Sequence, residues 1–337
     1  MQVRAVISSA LPAAITDRAG WIADIAGGFT KLGVPPTRDN VCAVVAVIEQ
    51  ESGFRVHPVI PGLGTAALPT IDARASTAGV PRPLVHAALD LQSSDGRTYL
   101  ERIRTATTEK QLSDIYEDFT GRVPLGRTLF ASWNPIRTRG PMQVNVSFAE
   151  RFEALKPYPY HDSRRSLRDE LFTRRASIYF GIAHLLDYRA PYDRYLYRFA
   201  DYNAGQYASR NAAFQRAASI VAGRPLTADG ALLARDPDAK GAGSTERLLF
   251  AIAGRLRLSE ARIHDALERG GSESFQRTTL YRRIFMLADS RSGRRLPRAV
   301  LPRIRLEGPK IVRPLTTAWY ARRVNGRFEH CMRADEG

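Results

Sequence analysis

Apolar residues recur at helical intervals along most of the chain. Trp21, Ile22, Ile25, Phe29 and Leu32 share one face of a segment running from Gly20 to Leu32, and Gly33-Val34-Pro35-Pro36 stops it. Thr37-Arg38-Asp39-Asn40 supplies cap residues for a second helix reaching about Ser52, apolar nearly all round between Val41 and Ile48 and therefore expected to be central and buried. It ends in Glu49-Gln50-Glu51-Ser52-Gly53-Phe54, where two carboxylates at the end of a buried helix call for an explanation. Further helical patterns run over Pro81–Ile115, through Phe148 and Phe152, over Asp169–Leu186, from about Asp193 to Tyr202, over Ala212–Val221 and, in two or three pieces, over Thr245–Leu287. Residues 58–75, 122–139 and 223–244 are rich in Pro, Gly or small residues and separate these patterns, and the tail from Ser290 is basic and punctuated by proline. No regular alternation of strands appears, so the expected fold class is mainly α.

The length of 337 residues allows one large domain or two ordinary ones. Charge changes the picture more: 50 Lys+Arg stand against 34 Asp+Glu, a net +16, and all the cations but Lys31, Lys110, Lys156, Lys240 and Lys310 are arginine. Such an excess suits nucleic acid, an anionic membrane surface or a polyanionic substrate, or reflects arginine usage without any partner. The arginines are spread along the chain with no basic block, and no nucleic-acid-binding motif accompanies them, so no nucleic-acid partner is expected.

Several chemistries find no footing. The chain lacks G-x-x-x-x-G-K-[ST], a helix-opening G-x-G-x-x-G, H-E-x-x-H and G-x-S-x-G. His57, His86, His161, His184, His264 and His330 stand apart without ligand spacing, so neither a metal nor another cofactor is expected. Cys42 and Cys331 form no C-x-x-C pair; a buried thiol at Cys42 and a disulfide between the two in an oxidising compartment both stay open. No stretch approaches the length of about 20 apolar residues needed to span a bilayer, and the first ten residues are too short and too weakly apolar for a signal peptide.

Three short elements remain: Glu51-Ser52-Gly53-Phe54, Gly140-Pro141-Met142-Gln143 and Tyr202-Asn203-Ala204-Gly205. Their order and content resemble the lysozyme-like lytic transglycosylases, over roughly Thr37 to Gly205. Pro141 stands where that family usually has leucine, Asp201 precedes the tyrosine where alanine is frequent, and 92 positions separate Glu51 from Gln143, several times the usual spacing. An inserted subdomain at about 58–135 accounts for the excess. Over nearly the whole chain the layout is similar to the DUF1615 family of uncharacterised bacterial proteins, often described as lipoproteins.

The resemblance implies a lysozyme-like α+β catalytic domain over 1–222 and a basic helical extension over 223–337. It implies cleavage of peptidoglycan glycan strands between N-acetylmuramic acid and N-acetylglucosamine, with Glu51 first protonating the leaving oxygen and then acting as base on the sugar's C6 hydroxyl to leave a 1,6-anhydro end. A glutamic acid at the end of a buried helix facing an apolar cleft is held protonated by burial, an effect the lysozyme glutamate illustrates. Ser52, Met142, Gln143, Tyr202 and Asn203 would contact substrate. A periplasmic location follows, with lipid anchoring to the outer membrane and an anionic membrane surface as a second partner. Read from the residues alone, Glu49 lies on another helix face, Tyr188, Tyr192, Tyr195, Tyr197 and Phe199 are packing residues, and Asp201 is either a second carboxylate or a solvated acid beside Arg198. A hydrolytic muramidase on the same scaffold, with Asp201 or an acid from the insertion activating water, is an alternative. A silent peptidoglycan-binding protein with the same cleft is a further alternative.

Overall fold

A computed structural model describes residues 2–122, 134, 136–233, 243–306 and 314–333. The architecture is mainly helical, with two short antiparallel hairpins among the described residues. The chain forms two compact units. Among the described residues the first holds those up to 182, and the second holds those of 183–306 with 314–333. This division falls inside the segment expected to be the catalytic domain.

The first unit begins with α1 (Gln2–Ala10), α2 (Arg18–Leu32) and α3 (Arg38–Glu51). Thr37 caps α3 by accepting from the Asn40 amide at 3.3 Å, as its position before the apolar run predicts. Every residue from Val41 to Ile48 is buried, so α3 is packed on all sides. Each large side chain placed there contributes about 1.5–3 kcal/mol, which fixes the helix and leaves its two ends, Arg38-Asp39-Asn40 and Glu49-Gln50-Glu51, reaching solvent. Trp21 and Phe29 of α2 are buried as well.

Four helices then form a separate hydrophobic cluster: α4 (Leu63–Thr77), α5 (Arg82–Leu89), α6 (Tyr99–Thr105) and α7 (Glu109–Arg122). The expected single helical stretch over 81–115 is thus three helices, interrupted at Asp90–Thr98 and Ala106–Thr108. Residues 58–75, read as small and turn-rich, contribute most of α4 despite Pro69. The cause is tertiary: Leu63, Ala67 and Ala75 are buried in the cluster, and Gly64 lies so close to α6 that a Cβ on it would fall 1.8 Å from the Ile103 carbonyl oxygen. Most of 122–139, expected as loop or strand, lies outside the described residues.

Strands β1 (Thr138–Arg139) and β2 (Val144–Asn145) pair antiparallel, Thr138 opposite Asn145 and Arg139 opposite Val144. Helices α8 (Val146–Leu155), α9 (Leu167–Glu170) and α10 (Arg174–Leu186) follow, and the pattern expected as one helix over 169–186 breaks at Leu171–Thr173.

The second unit contains α11 (Tyr195–Ala204), α12 (Ala208–Ala222), α13 (Ser244–Phe250), α14 (Ala253–Leu256), α15 (Glu260–Glu268) and α16 (Thr279–Ser292). Its tail pairs β3 (Arg305–Leu306) with β4 (Leu315–Thr316) and ends in α17 (Thr317–Arg333). Helix α12 is buried over most of its surface, and Phe214 meets Phe275, Tyr281 and Phe285 in the core. Tyr195 and Phe199 of α11 pack on Phe328 of α17. No helix among the described residues is long and apolar enough to cross a membrane.

Candidate functional site

Glu51 is the last residue of α3 and is partly buried. The chain leaves it through a tight turn. The Ser52 hydroxyl donates to the Ile48 carbonyl at 3.0 Å within the buried helix end, and Gly53 and Phe54 both adopt left-handed backbone, φ 56° and 61°. A phenylalanine there is strained and must be held by its surroundings. The hold comes from the Trp21 ring: Phe54 meets it edge-on at 5.3 Å between ring centroids, the Arg174 guanidinium carbon lies over it at 5.2 Å, and Asp24 accepts from Arg174 Nε at 2.6 Å. The carboxylate of Glu51 is therefore placed by a rigid, apolar-backed turn, while Ser52 spends its hydroxyl on the helix end.

The second motif is the turn of the β1–β2 hairpin, closed by the Gln143 amide donating to the Gly140 carbonyl at 2.9 Å. Only glycine fits at position 140, because φ is 72° and a Cβ would lie 2.2 Å from the Leu171 carbonyl oxygen. Met142 is fully buried, its amide donates to Ser177 Oγ at 3.0 Å, and its sulfur occupies the space above Gly181. Expected to line a cleft against a sugar face, Met142 instead belongs to the core. Gln143 is held in left-handed backbone, φ 50°, and both ends of its side chain are engaged: Thr138 Oγ1 donates to Oε1 at 2.8 Å, and Nε2 donates to Glu109 Oε2 at 2.8 Å.

Glu109 opens α7, so this helix reaches the second motif directly. The Phe172 ring is the hub of this region. His57 lies 6.4 Å from it, Lys110 Nζ 5.7 Å and the Arg139 guanidinium carbon 4.7 Å. The segment following Glu51, the first turns of α7 and the hairpin therefore meet around one aromatic side chain. The electrostatics are mixed. Burial and nearby Lys110 hold the His57 imidazole below its usual range, favouring the neutral ring. Burial, Asp169 and Asp114 push the Glu117 carboxyl up against the pull of Arg139. Arg139 is fully buried, donates to the Arg168 carbonyl at 2.6 Å, and is shifted down by burial.

The third motif lies in the second unit. Tyr202 is buried and its ring lies 4.9 Å from that of His184. Asn203 is exposed and accepts from Thr317 Oγ1 at 2.7 Å. Asp201 is neither solvated nor paired with Arg198, as had been expected. Its side chain is fully buried and accepts four hydrogen bonds: from Tyr188 (3.1 Å) and Tyr192 (2.6 Å) hydroxyls and from the Tyr207 (2.9 Å) and Ser209 (2.7 Å) amides. The two amides are orphan donors at the start of α12, so Asp201 caps that helix across the Gly205 break and meets the positive end of its dipole. Burial raises its pKa to about 6, with the four donors opposing. Sealed from water, it has no place as the base of a hydrolytic reaction. Tyr188 and Tyr192 serve as its donors rather than as plain packing. Arg198 instead donates to the Leu185 carbonyl at 3.1 Å and lies 4.9 Å over the Tyr188 ring.

A family model described as a protein of unknown function, DUF1615, matches residues 14–334. The chain belongs to that family. It is similar to the uncharacterized protein YaiW of Escherichia coli strain K12, 46% identical over 333 residues that cover 99% of this chain and 90% of the relative. No solved structure matches.

Among the described residues no group of His, Cys, Asp and Glu is arranged to hold a metal ion. Sequence reasoning missed Glu109, His57, Lys110, Arg139 and Phe172. Glu109 and Gln143 are 34 positions apart, and nothing in a single sequence pairs them. The one available signal is that Glu109-Lys110 opens a helix at the point where the insertion returns toward the second motif.

Proposed function

We propose that the chain is a peptidoglycan lytic transglycosylase on a lysozyme-like helical core, with Glu51 as the single acid and base. The observation that carries the reading is the placement of Glu51. It is a partly buried carboxylate at the tip of a helix buried along eight successive residues, fixed by a strained turn braced on Trp21. A carboxyl held in place in this way can serve the proton transfer that a glycosidic leaving oxygen needs. Gln143, oriented by Thr138 and Glu109, supplies an amide for substrate hydrogen bonds. The C6 hydroxyl of the muramyl sugar attacks its own C1, its proton returns to Glu51, and the chain ends in a 1,6-anhydro residue with no water consumed.

Substrate location places the protein in the periplasm, anchored by lipid to the outer membrane, with the basic extension facing an anionic surface. Burial of Asp201 disfavours the hydrolytic alternative that relied on it. The test is digestion of purified sacculi followed by mass spectrometry. The wild type should release anhydro-muropeptides and Glu51→Gln should release none while melting at the same temperature. Reducing ends in place of anhydro ends would make the protein a muramidase, and undiminished release by Glu51→Gln would remove the catalytic assignment.

A further inference from the structure

The four inserted helices enclose a cavity of about 370 Å³ in their own core. Its lining residues are apolar except for Arg74, Tyr99 and Tyr116. Native cores contain few voids larger than a water molecule, and an apolar cavity stays dry. A space of this size lies at the small end of ligand-binding pockets, which run from about 300 to 1,000 Å³. Its rim is also apolar. Leu84 and Leu91, 62% and 56% exposed, both belong to the lining and present their side chains to solvent at the mouth.

The chemistry of the walls selects the occupant. A sugar would find almost nothing to accept or donate hydrogen bonds, and water would be equally poorly held. A cavity of about 150 Å³ accommodates the six carbons of benzene, about 25 Å³ per carbon, so this one takes a single chain of about fifteen carbons at most. A two-chain lipid is too large. The polar side is cationic. Arg74 is partly buried among the lining residues, and the influences on it include the second guanidinium of Arg137. Tyr116, next to it in the lining, lies in the field of both Arg74 and Arg168. Arg74 is the one cation among the residues lining an otherwise apolar chamber, an arrangement that favours an anion at that place.

We propose that the insertion is a binding site for a single-chain anionic amphiphile, its acyl chain between α4, α5, α6 and α7 and its carboxylate or phosphate at Arg74. The proposal uses no residue of the Glu51 turn and stands or falls apart from the glycan-cleaving reading.

Titration calorimetry on the full chain, below the micellar concentration of each probe, tests it. Laurate and lauroyl lysophosphatidate are the two anionic probes, with decanoate and dodecanol as controls. Saturable one-to-one binding is expected, with a gain of about fourfold per added methylene from decanoate to laurate. Dodecanol, which has the chain without the charge, should bind about tenfold more weakly. Tighter binding of laurate would identify a free fatty acid as the ligand, and tighter binding of lysophosphatidate a lipid-derived phosphate. Ala88→Trp, which fills the chamber, should abolish binding; Leu84→Asp, at an exposed mouth position where folding is not at stake, should weaken it at least tenfold. Arg74→Gln should reduce laurate to the dodecanol level, and Arg74→Lys should restore part of the difference. Absence of saturable binding of both anionic probes, or laurate binding that Leu84→Asp and a folded Ala88→Trp leave unchanged, overturns the proposal.

Discussion

Replacing Asp201 by asparagine probes both the fold and the mechanism. Asp201 Oδ2 accepts from Tyr188, Tyr192 and the Tyr207 amide, while Oδ1 accepts from the Ser209 amide alone. An asparagine keeps most of this by turning its oxygen toward the three donors and its NH₂ toward Ser209. One amide at the start of α12 is then left facing another donor, at a cost of about 1–3 kcal/mol. The charge works the other way. Burial raises the carboxyl from 3.8 to about 6, a difference of about two pH units, or about 3 kcal/mol. Between those values the folded chain holds a proton that the unfolded chain has lost. The aspartate's contribution to stability is therefore greatest below pH 3.8, falls as pH rises to about 6, and is constant above it.

Asparagine has no such dependence, so the stability of wild type relative to Asp201→Asn should fall by about 2 kcal/mol between pH 4 and pH 7. Urea unfolding of both proteins at pH 4, 5, 6 and 7, followed by circular dichroism, measures it. A difference that stays level or widens with pH would refute the reasoning, because the four donors would then outweigh burial. The same variant separates the catalytic readings. Asp201→Asn should retain most of its sacculus-digesting activity at pH 7; loss of activity with folding intact would restore Asp201 as a proton carrier.

Two further outcomes follow from contacts of the insertion. Glu109→Ala removes the acceptor that orients the Gln143 amide, a charged hydrogen bond of about 1.5–3 kcal/mol, and should raise KM for sacculi about tenfold with little change in kcat; Glu109→Gln, which keeps an acceptor oxygen, should recover most of the loss. Gly64→Ala drives a Cβ into the Ile103 carbonyl at 1.8 Å and should destabilise the insertion by about 3 kcal/mol or more. Limited proteolysis should then cut first within residues 63–122, and laurate binding should fall with it.

What could be read from sequence divides along physical lines. The apolar run Val41–Ile48, its Thr37 cap and the stop after Glu51 depend on neighbours within one helix, and all three appear where the pattern places them. Helices α4 to α7 lie inside 58–135, the stretch that the motif spacing singles out. Composition failed at α4, where Pro69 and small residues disguise a helix held by contacts with α6. Burial failed at Met142 and Asp201. A methionine in a turn gives no sign that Gly181, far along the chain, leaves space for its sulfur. Asp201 carried a local signal that periodicity does not weigh: its four donors all lie within thirteen residues, around a glycine that ends one helix just before another begins.

The arginine excess has a structural use that bears on both proposals. Arg18 donates to the Ser8 carbonyl near the end of α1, Arg198 to Leu185 near the end of α10, and Arg255 (2.6 Å) and Arg291 (2.5 Å) to Val221 at the end of α12. Arg283 donates to Leu256 at the end of α14, and the fully buried Arg210 binds the Gly270 and Ser272 carbonyls while facing Tyr207 and Phe275. Helix C-termini carry unsatisfied carbonyls and the negative end of the dipole, and a planar guanidinium can serve two of them while lying against an aromatic ring. A lysine ammonium cannot make that fork. In a chain built from many short helices, this demand raises the arginine count without adding carboxylates, so part of the net +16 is internal and carries no information about a partner. Charge that does point outward must be argued position by position. At Arg74 it rests on a lone cation in the wall of an otherwise apolar chamber, and there the prediction is specific enough for one substitution to decide it.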